Sequence, residues 1–141
     1  MRYANGESYT GEWRNMKRGG VGKHCYADTS EFEGSWQEDR RHGQGRMQFP
    51  NGNVYQGTWH HNEMSGDGVM EYSDGGKYEG AWVKGHRQGD GAMLQPDGSD
   101  FVGRWFHDKR NGTGEIALAN GDIRSGVWVD DVMTGDNATG D

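Results

Sequence analysis

Aromatic residues and glycines alternate with polar residues along this chain, which is the two-residue periodicity of a β-strand. One stretch reads Tyr-Gln-Gly-Thr-Trp, and a second stretch, Gly-Asp-Gly-Val-Met-Glu-Tyr, follows it a few residues later. Asn-Gly or Asp-Gly pairs, which favour tight hairpin turns, separate such stretches. Because no segment has helical periodicity, the pattern predicts an all-β chain of short antiparallel strands.

The pattern recurs every 23 residues, and one tryptophan marks each copy. The tryptophans are Trp13, Trp36, Trp59, Trp82, Trp105 and Trp128. Four positions before them stand Tyr9, Phe32, Tyr55, Tyr78, Phe101 and, in the last copy, Arg124. We therefore predict a single array over residues 1–141, with a partial strand over 1–8, a degenerate last repeat, and repeats that start near residues 9, 32, 55, 78, 101 and 124.

Each repeat is predicted to be one hairpin, whose two strands in the first copy cover roughly residues 9–13 and 20–26. Six such hairpins in sequence form an elongated single-layer antiparallel β-meander of about twelve strands. This solenoid would be roughly 50 Å long at about 4.8 Å per strand.

The composition predicts a thin core of aromatic rings and glycine. Glycine accounts for 26 of 141 residues, and only 30% of the chain is hydrophobic, so aliphatic side chains are too few to fill a thick interior. The expected register pairs Trp13 with Gly20 and Tyr26 with Phe32. Every indole would then lie between glycines of its two neighbouring strands, where glycine leaves room for a large side chain.

Charge and cysteine content exclude several classes of protein. The formal net charge of −7 argues against a general nucleic-acid binder. No apolar run approaches the roughly 20 residues that span a bilayer. The single cysteine, Cys25, excludes an internal disulfide and is typical of a reducing compartment, so a cytoplasmic protein is predicted.

The segments Tyr55-Gln-Gly-Thr-Trp59 and Gly66-Asp-Gly-Val-Met-Glu-Tyr-Ser-Asp-Gly75 resemble the membrane occupation and recognition nexus (MORN) repeat. The resemblance covers essentially the whole chain and implies an elongated β-array with one hairpin per repeat. It also implies one of several roles: a module of a lipid kinase or lysine methyltransferase, a membrane tether, or a stand-alone cytoskeletal scaffold. Met1 aligns with the middle of a strand, so the chain is expected to be a C-terminal piece of a longer array.

Catalytic and metal-binding residues are not predicted within one chain. Cys25 adjoins His24, but neighbouring residues of a strand point to opposite faces, whereas a nucleophile pair needs contact. His61 and His107 lie two repeats apart, roughly 19 Å at the strand spacing, and cannot share one ion. No cofactor is expected, and a zinc site assembled between two chains is left open.

The loops between paired strands carry basic residues at equivalent positions. These residues are Lys17, Arg18, Arg40, Arg41, His86, Arg87, Lys109 and Arg110. Stacked repeats would align them into a basic row along one edge. The row either contacts anionic lipid headgroups or an acidic partner, or is solvated charge that keeps the array soluble.

The aromatic row at Tyr9, Phe32, Tyr55, Tyr78 and Phe101 also has two interpretations. It lines a groove for an extended or helical peptide, or it is simply the core of the array. A single-layer sheet has no second layer to cover this row, which favours partial exposure and therefore a partner groove.

The last repeat departs from the others and is predicted to form a dimer interface. The residues concerned are Arg124, Val127, Trp128, Val129, Val132 and Met133. An unpaired edge strand favours pairing with another chain, and a closed two-fold contact is the commonest solution. We expect an antiparallel homodimer in which Asp130, Asp131 and Asp136 meet Lys109 and Arg110 of the other subunit. The alternative is a solvated acidic tail that keeps the edge monomeric.

These observations together predict a non-enzymatic scaffold that self-associates and binds cytoskeletal or membrane-associated proteins. Its expected location is the cytoplasm, on the cytoskeleton and near membranes. The alternative is a module that binds anionic phospholipid through the basic row. An enzymatic role would require catalytic residues outside this chain.

Overall fold

The computed structural model describes residues 1–136 and consists of one sheet of twelve antiparallel strands in chain order. The strands β1 to β12 are Ser8–Arg14, Lys17–Cys25, Glu31–Gln37, Arg40–Gln48, Val54–His60, Glu63–Glu71, Lys77–Val83, His86–Leu94, Asp100–Phe106, Lys109–Ala117, Ile123–Val129 and Val132–Asp136. The predicted all-β single-layer meander is therefore confirmed. The last residues of the predicted array, 137–141, lie outside the described part. Within that part, no helix is long and apolar enough to cross a membrane.

Two kinds of turn alternate along the sheet. Within a hairpin, two residues with positive φ form the turn, as at Glu38 and Asp39 with φ of 48° and 67°. This geometry matches the right-handed twist of the flanking strands. Between hairpins, a longer turn closes where the amide of Phe49 donates to the carbonyl of Asn53 at 2.8 Å. Gly52, with a φ of 94°, occupies the left-handed position of that turn.

The predicted register is wrong at the loop end of each hairpin, because every second strand except the last contains a bulge at a left-handed glycine. Trp36 pairs with Arg41, whereas Gly34 pairs with Gly45, so β4 has two more residues than β3 between these pairs. Gly43 lies in this bulge with a φ of 100°, a conformation that favours glycine. The two-residue turn fixes the pairing at the loop end, and the bulge absorbs the surplus residues.

Two expected pairings are corrected, the first by this bulge and the second by the turn between hairpins. Trp13 pairs with Arg18 rather than with Gly20. Phe32 pairs with His24 rather than with Tyr26. Tyr26 is instead the first residue of the turn, where its amide donates to the carbonyl of Ser30 at 2.8 Å.

The core is a row of alternating tyrosine or phenylalanine rings and indoles. Tyr55 shows the arrangement: Trp59 and Trp82 contact its ring edge-to-face, each with centroids 5.3 Å away. The Tyr55 ring, not an indole, covers a pair of glycines, Gly57 and Gly68. The expectation that indoles lie between glycines is therefore wrong, because the four inner indoles each pack between two successive rings of the Tyr/Phe column, whereas Trp13 and Trp128 each contact one such ring. The N–H of each inner indole donates to backbone, as where Trp82 Nε1 donates to the carbonyl of Gly68 at 3.2 Å.

Candidate functional site

The aromatic row predicted as a possible partner groove is sealed inside the fold. Its members Tyr9, Phe32, Tyr55, Tyr78 and Phe101 have no exposed surface. Indoles of the array cover them, and arginine side chains lie over these rings at the loop end of the sheet. The groove is therefore corrected to a core, because the indoles on the same face cover the row without a second layer.

The second residue of each basic pair holds neighbouring repeats together. Arg87 donates to Asp108 through its amide at 2.8 Å, its Nε at 3.3 Å and, at the Asp108 carbonyl, its Nη2 at 2.8 Å. Its guanidinium also lies 4.9 Å from the ring centroid of Trp105. Arg18 and Arg110 make equivalent ion pairs with the aspartates at the next hairpin turn, at 3.1 and 3.2 Å.

These contacts stabilise the ionised form of the turn aspartate. Burial by itself raises the pKa of Asp108, but hydrogen bonds from His86 and Arg87 outweigh it, and the pKa lies below its usual value. Arg41 differs, because the turn residue that it contacts is Asn62 and its Nε is buried without a partner. The arginine at this position of each pair is therefore engaged in contacts with the next hairpin turn and stabilises the fold.

The first residue of each basic pair remains at the surface. Lys17, Arg40, His86 and Lys109 are exposed at equivalent turn positions. His86 also contacts the fold, because its Nδ1 lies 2.7 Å from a carboxylate oxygen of Asp108. The basic row is thus reduced to a few separated side chains, and anion binding stays a prediction.

His24 and Cys25 point to opposite faces of β2. His24 is 3% exposed and lies in the core, where its Nε2 is 2.9 Å from Glu7 Oε1 and its Nδ1 is 3.0 Å from Arg18 Nη1. The hydrogen bond with His24 lowers the pKa of Glu7. Cys25 Sγ lies 3.8 Å from a carboxylate oxygen of Glu31 on the outer face. The two side chains do not form a nucleophile pair.

The residues expected at a dimer interface divide into core and surface. Trp128 is 3% exposed beneath the sheet and contacts Phe101, and Met133 packs against the same core. Both are corrected to core positions, because they continue the inward column of earlier repeats. Arg124 and Val127 are half-buried.

Exposed apolar side chains lie on the opposite face of the last strands. We name this set the C-terminal outer face: Val102, Phe106, Ile123, Val129 and Val132, each 49–61% exposed. The expected ion pair between Arg110 and an aspartate of another subunit is also corrected. Arg110 Nε lies 3.2 Å from Asp131 of its own chain.

Three histidines converge at the loop end of β4 and β5. Gly43 pairs with Trp59, which places His42 opposite His60, and His61 follows in the turn. One ligand nitrogen of each ring lies within 4.8 Å of the others. Desolvation and the neighbouring His60, Arg40 and His42 lower the pKa of His61. The cluster is not apparent from the 23-residue columns, because its three histidines belong to different columns and meet across a strand pair.

The fold defines a class of protein: a single-layer array of β-hairpin repeats whose core aromatic side chains are buried by packing against one another. The family model for the MORN repeat matches residues 9–31, 32–54, 55–77, 78–100 and 101–123, so the chain belongs to the MORN repeat family. The hairpin of β11 and β12 lies largely beyond these matches.

Two solved structures that partly match this chain are domains in complex with peptides. The TCP domain of Drosophila melanogaster SAS-4 (dCPAP), in complex with a proline-rich motif of Ana2 (dSTIL), has a TM-score of 0.49 and 16% identity over 89% of this chain and 75% of that chain. The TCP10 domain of Danio rerio CPAP, in complex with a STIL peptide, has a TM-score of 0.33 and 15% identity over 84% and 64%. No curated protein sequence shows significant similarity to this chain.

Proposed function

We propose that this chain is a non-enzymatic scaffold that self-associates through the C-terminal outer face and presents its rigid sheet to other proteins. The observation that carries the proposal is the contrast between two surfaces. The aromatic face is covered by the array's own indoles and arginines, whereas apolar side chains stand exposed on the C-terminal outer face.

The distribution of apolar residues supports a contact at that end. The outer face of β3 carries charged residues such as Glu31 and Glu33, but the outer face of the last strands carries valine, phenylalanine and isoleucine. Grouped exposed apolar side chains usually mark an interaction surface. Earlier repeats expose fewer such residues on this face, as with Val21, Val83 and Leu94, so the larger number at the C-terminal end supports a contact there.

A second copy of the chain is the occupant that we propose for this face. Among residues 1–136, β12 has only β11 as a neighbour, and such an edge can pair with another strand. Lys109 and Asp130 are both exposed at the rim, so a two-fold arrangement would bring opposite charges together. In a two-fold dimer, the C-terminal outer face of each copy would bury apolar area against the other, and Lys109 of each copy would lie near Asp130 of the other.

Light scattering after size-exclusion chromatography tests self-association. We expect a mass of about twice 15.7 kDa at micromolar concentration. The variant with Val129→Glu and Val132→Glu should be monomeric, because burying unpaired carboxylates costs several kcal/mol. The matched control is Val21→Glu, which changes a 59% exposed valine on the outer face of β2. A monomeric wild type, or equal dissociation by the control, would contradict the proposal.

The partners that we propose are cytoskeletal or membrane-associated proteins of the cytoplasm, in keeping with the stand-alone scaffolds of the family. Anionic phospholipid is the second candidate, and the exposed Lys17, Arg40 and Lys109 favour it. Co-sedimentation with phosphatidylserine vesicles separates the two. Binding to the vesicles at low salt, lost when these three residues are replaced by glutamine, would support the lipid-binding function. No binding at low salt would exclude it and favour the protein scaffold.

A further inference from the structure

A cluster of three imidazoles lies at the loop end of the second and third hairpins, away from the C-terminal outer face. His42 and His60 face one another across β4 and β5, with ring centroids 4.8 Å apart, and the His61 ring lies 4.2 Å from that of His60. We propose that His42, His60 and His61 form a binding site for a divalent transition-metal ion, with zinc as the ion of choice.

The geometry needs only small side-chain movements to accept zinc. The ligand nitrogens lie within 4.8 Å of one another, and a tetrahedral ion with Zn–N bonds near 2.0–2.1 Å separates its ligands by about 3.3 Å. His60 and His61 are exposed, so their rings are free to rotate inward. Three imidazoles leave a fourth position for water or for a ligand from a partner.

An unsatisfied atom in the cluster supports a ligand rather than a packing role. The Nδ1 of His42 is buried and has no hydrogen-bond partner, an arrangement that is uncommon and costs free energy. Coordination through this nitrogen would satisfy it. Zinc, which accepts imidazole nitrogen readily, fits this set better than magnesium or calcium, which prefer oxygen ligands.

The repeat pattern does not require histidine at these positions. The residues equivalent to His42 in the other copies are Gly19, Ser65, Gln88, Asn111 and Thr134. The residues equivalent to His60 are Arg14, Gln37, Val83, Phe106 and Val129. Because the hairpins form with all of these, neither His42 nor His60 is needed for the fold, and their meeting with His61 in one place needs another reason.

One contact competes with the metal. Arg40 Nη1 lies 2.9 Å from Nδ1 of His61, and because arginine only donates, it occupies the lone pair of that nitrogen. Arg40 is exposed and can swing into solvent when an ion binds. Removing it should therefore strengthen metal binding by freeing the nitrogen and by removing a positive charge.

Isothermal titration calorimetry of zinc chloride into tag-free, chelator-treated protein near pH 7.5 tests the site. The background is Cys25→Ser, which removes the only thiol. We expect one zinc ion per chain at micromolar zinc. His42→Gln and His60→Gln should each weaken binding at least about tenfold, since even outer-shell changes cost 10–100-fold. Both place in the site a residue that another repeat already carries, so folding is expected to be retained.

Two further variants sharpen the test. Arg40→Ala should tighten zinc binding, a result that a merely structural cluster would not give. His107→Gln, in the pair of His86 and His107 whose centroids lie 5.2 Å apart, should leave zinc binding unchanged. The proposal is overturned if zinc binds no more tightly than millimolar, or if the His42 and His60 variants bind as tightly as the parent.

Cobalt(II) spectroscopy on the same parent supplies an independent measurement. A tetrahedral site with nitrogen ligands gives intense visible d–d bands, and these should disappear in His60→Gln. Weak octahedral bands in the parent would overturn the proposal, as would bands that persist in His60→Gln. Circular dichroism of each variant verifies that the comparison is made on folded protein.

Discussion

Gly68 in β6 is expected to tolerate no side chain, and Gly68→Ala tests the way the aromatic core is built. A Cβ at this position would lie 2.5 Å from Cε1 of Tyr55 and closer still to the phenol oxygen. Carbon atoms in contact normally lie 3.5–4.0 Å apart, so the ring would have to move by about 1 Å. Gly68 does not have a left-handed backbone, so the substitution tests space alone.

The magnitude follows from what holds the Tyr55 ring. Trp59 and Trp82 contact it edge-to-face at 5.3 Å, and its hydroxyl donates to the carbonyl of Thr58 at 3.0 Å. The hydrogen bond contributes about 0.5–1.5 kcal/mol, and each aromatic pair contributes a similar amount. Loss of all three contacts would cost about 1.5–4.5 kcal/mol, which overlaps the usual cost of overpacking of about 1–3 kcal/mol. The melting temperature should fall by about 5–15 °C.

Thermal and urea unfolding, followed by tryptophan fluorescence, measure this cost. The control is Gly75→Ala, where no atom lies within 4 Å of the added Cβ and the φ of 97° costs about 1–2 kcal/mol. Equal destabilisation by the two substitutions would refute the reasoning. Tyr55→Leu should partly rescue Gly68→Ala, so that the double variant loses at least about 1 kcal/mol less than the sum of the single losses. Strict additivity would also refute it.

Three further outcomes are expected. Burial raises the pKa of Tyr55 to about 12, so its contribution to stability is complete below its ordinary pKa of about 10 and is lost from about pH 10 to 12. Tyr55→Phe should flatten that loss in urea titrations. Arg87→Lys should lower the free energy of unfolding by about 1 kcal/mol, because lysine cannot reproduce the forked contact with Asp108, whereas exposed Lys109→Gln should change it little. In melting experiments, Gly43→Ala should lower the free energy of unfolding by about 1–2 kcal/mol. Gly43→Asn should lower it less, since asparagine tolerates a left-handed backbone better than alanine does.

The hairpins were predictable from the sequence, but their register only in part. Period-two alternation and turn glycines mark each strand, and all twelve predicted strands are present. The second strand begins at Lys17 rather than near residue 20, because a two-residue turn at Asn15 and Met16 replaces the longer loop that was expected. The bulge is different, because the sequence shows a Gly-x-Gly pair without showing which glycine is left-handed. Only the structure distinguishes Gly43, with its φ of 100°, from Gly45, which lies under the ring of Phe32.

The candidate sites were predictable in part, and each error has a physical cause. The charged turn columns were visible, but the partner of Arg87 in the next repeat depends on the two-residue turn that brings Asp108 within 2.8 Å of its amide. The His42 and His60 contact depends on the pairing of Gly43 with Trp59 across the strand pair. A column comparison at 23-residue spacing does not reveal such contacts between different columns.

Function in this array should therefore lie where a repeat departs from its pattern. The residues that recur from repeat to repeat make contacts within the fold. Tryptophan packs in the core, and glycine either leaves room for an aromatic ring or adopts the left-handed backbone of the bulge. Arginine at positions such as Arg87 joins one hairpin to the next. A residue with several fold contacts cannot release them for a partner without loss of stability. The histidine cluster and the C-terminal outer face make few such contacts, so substitutions there can change binding while the array stays folded.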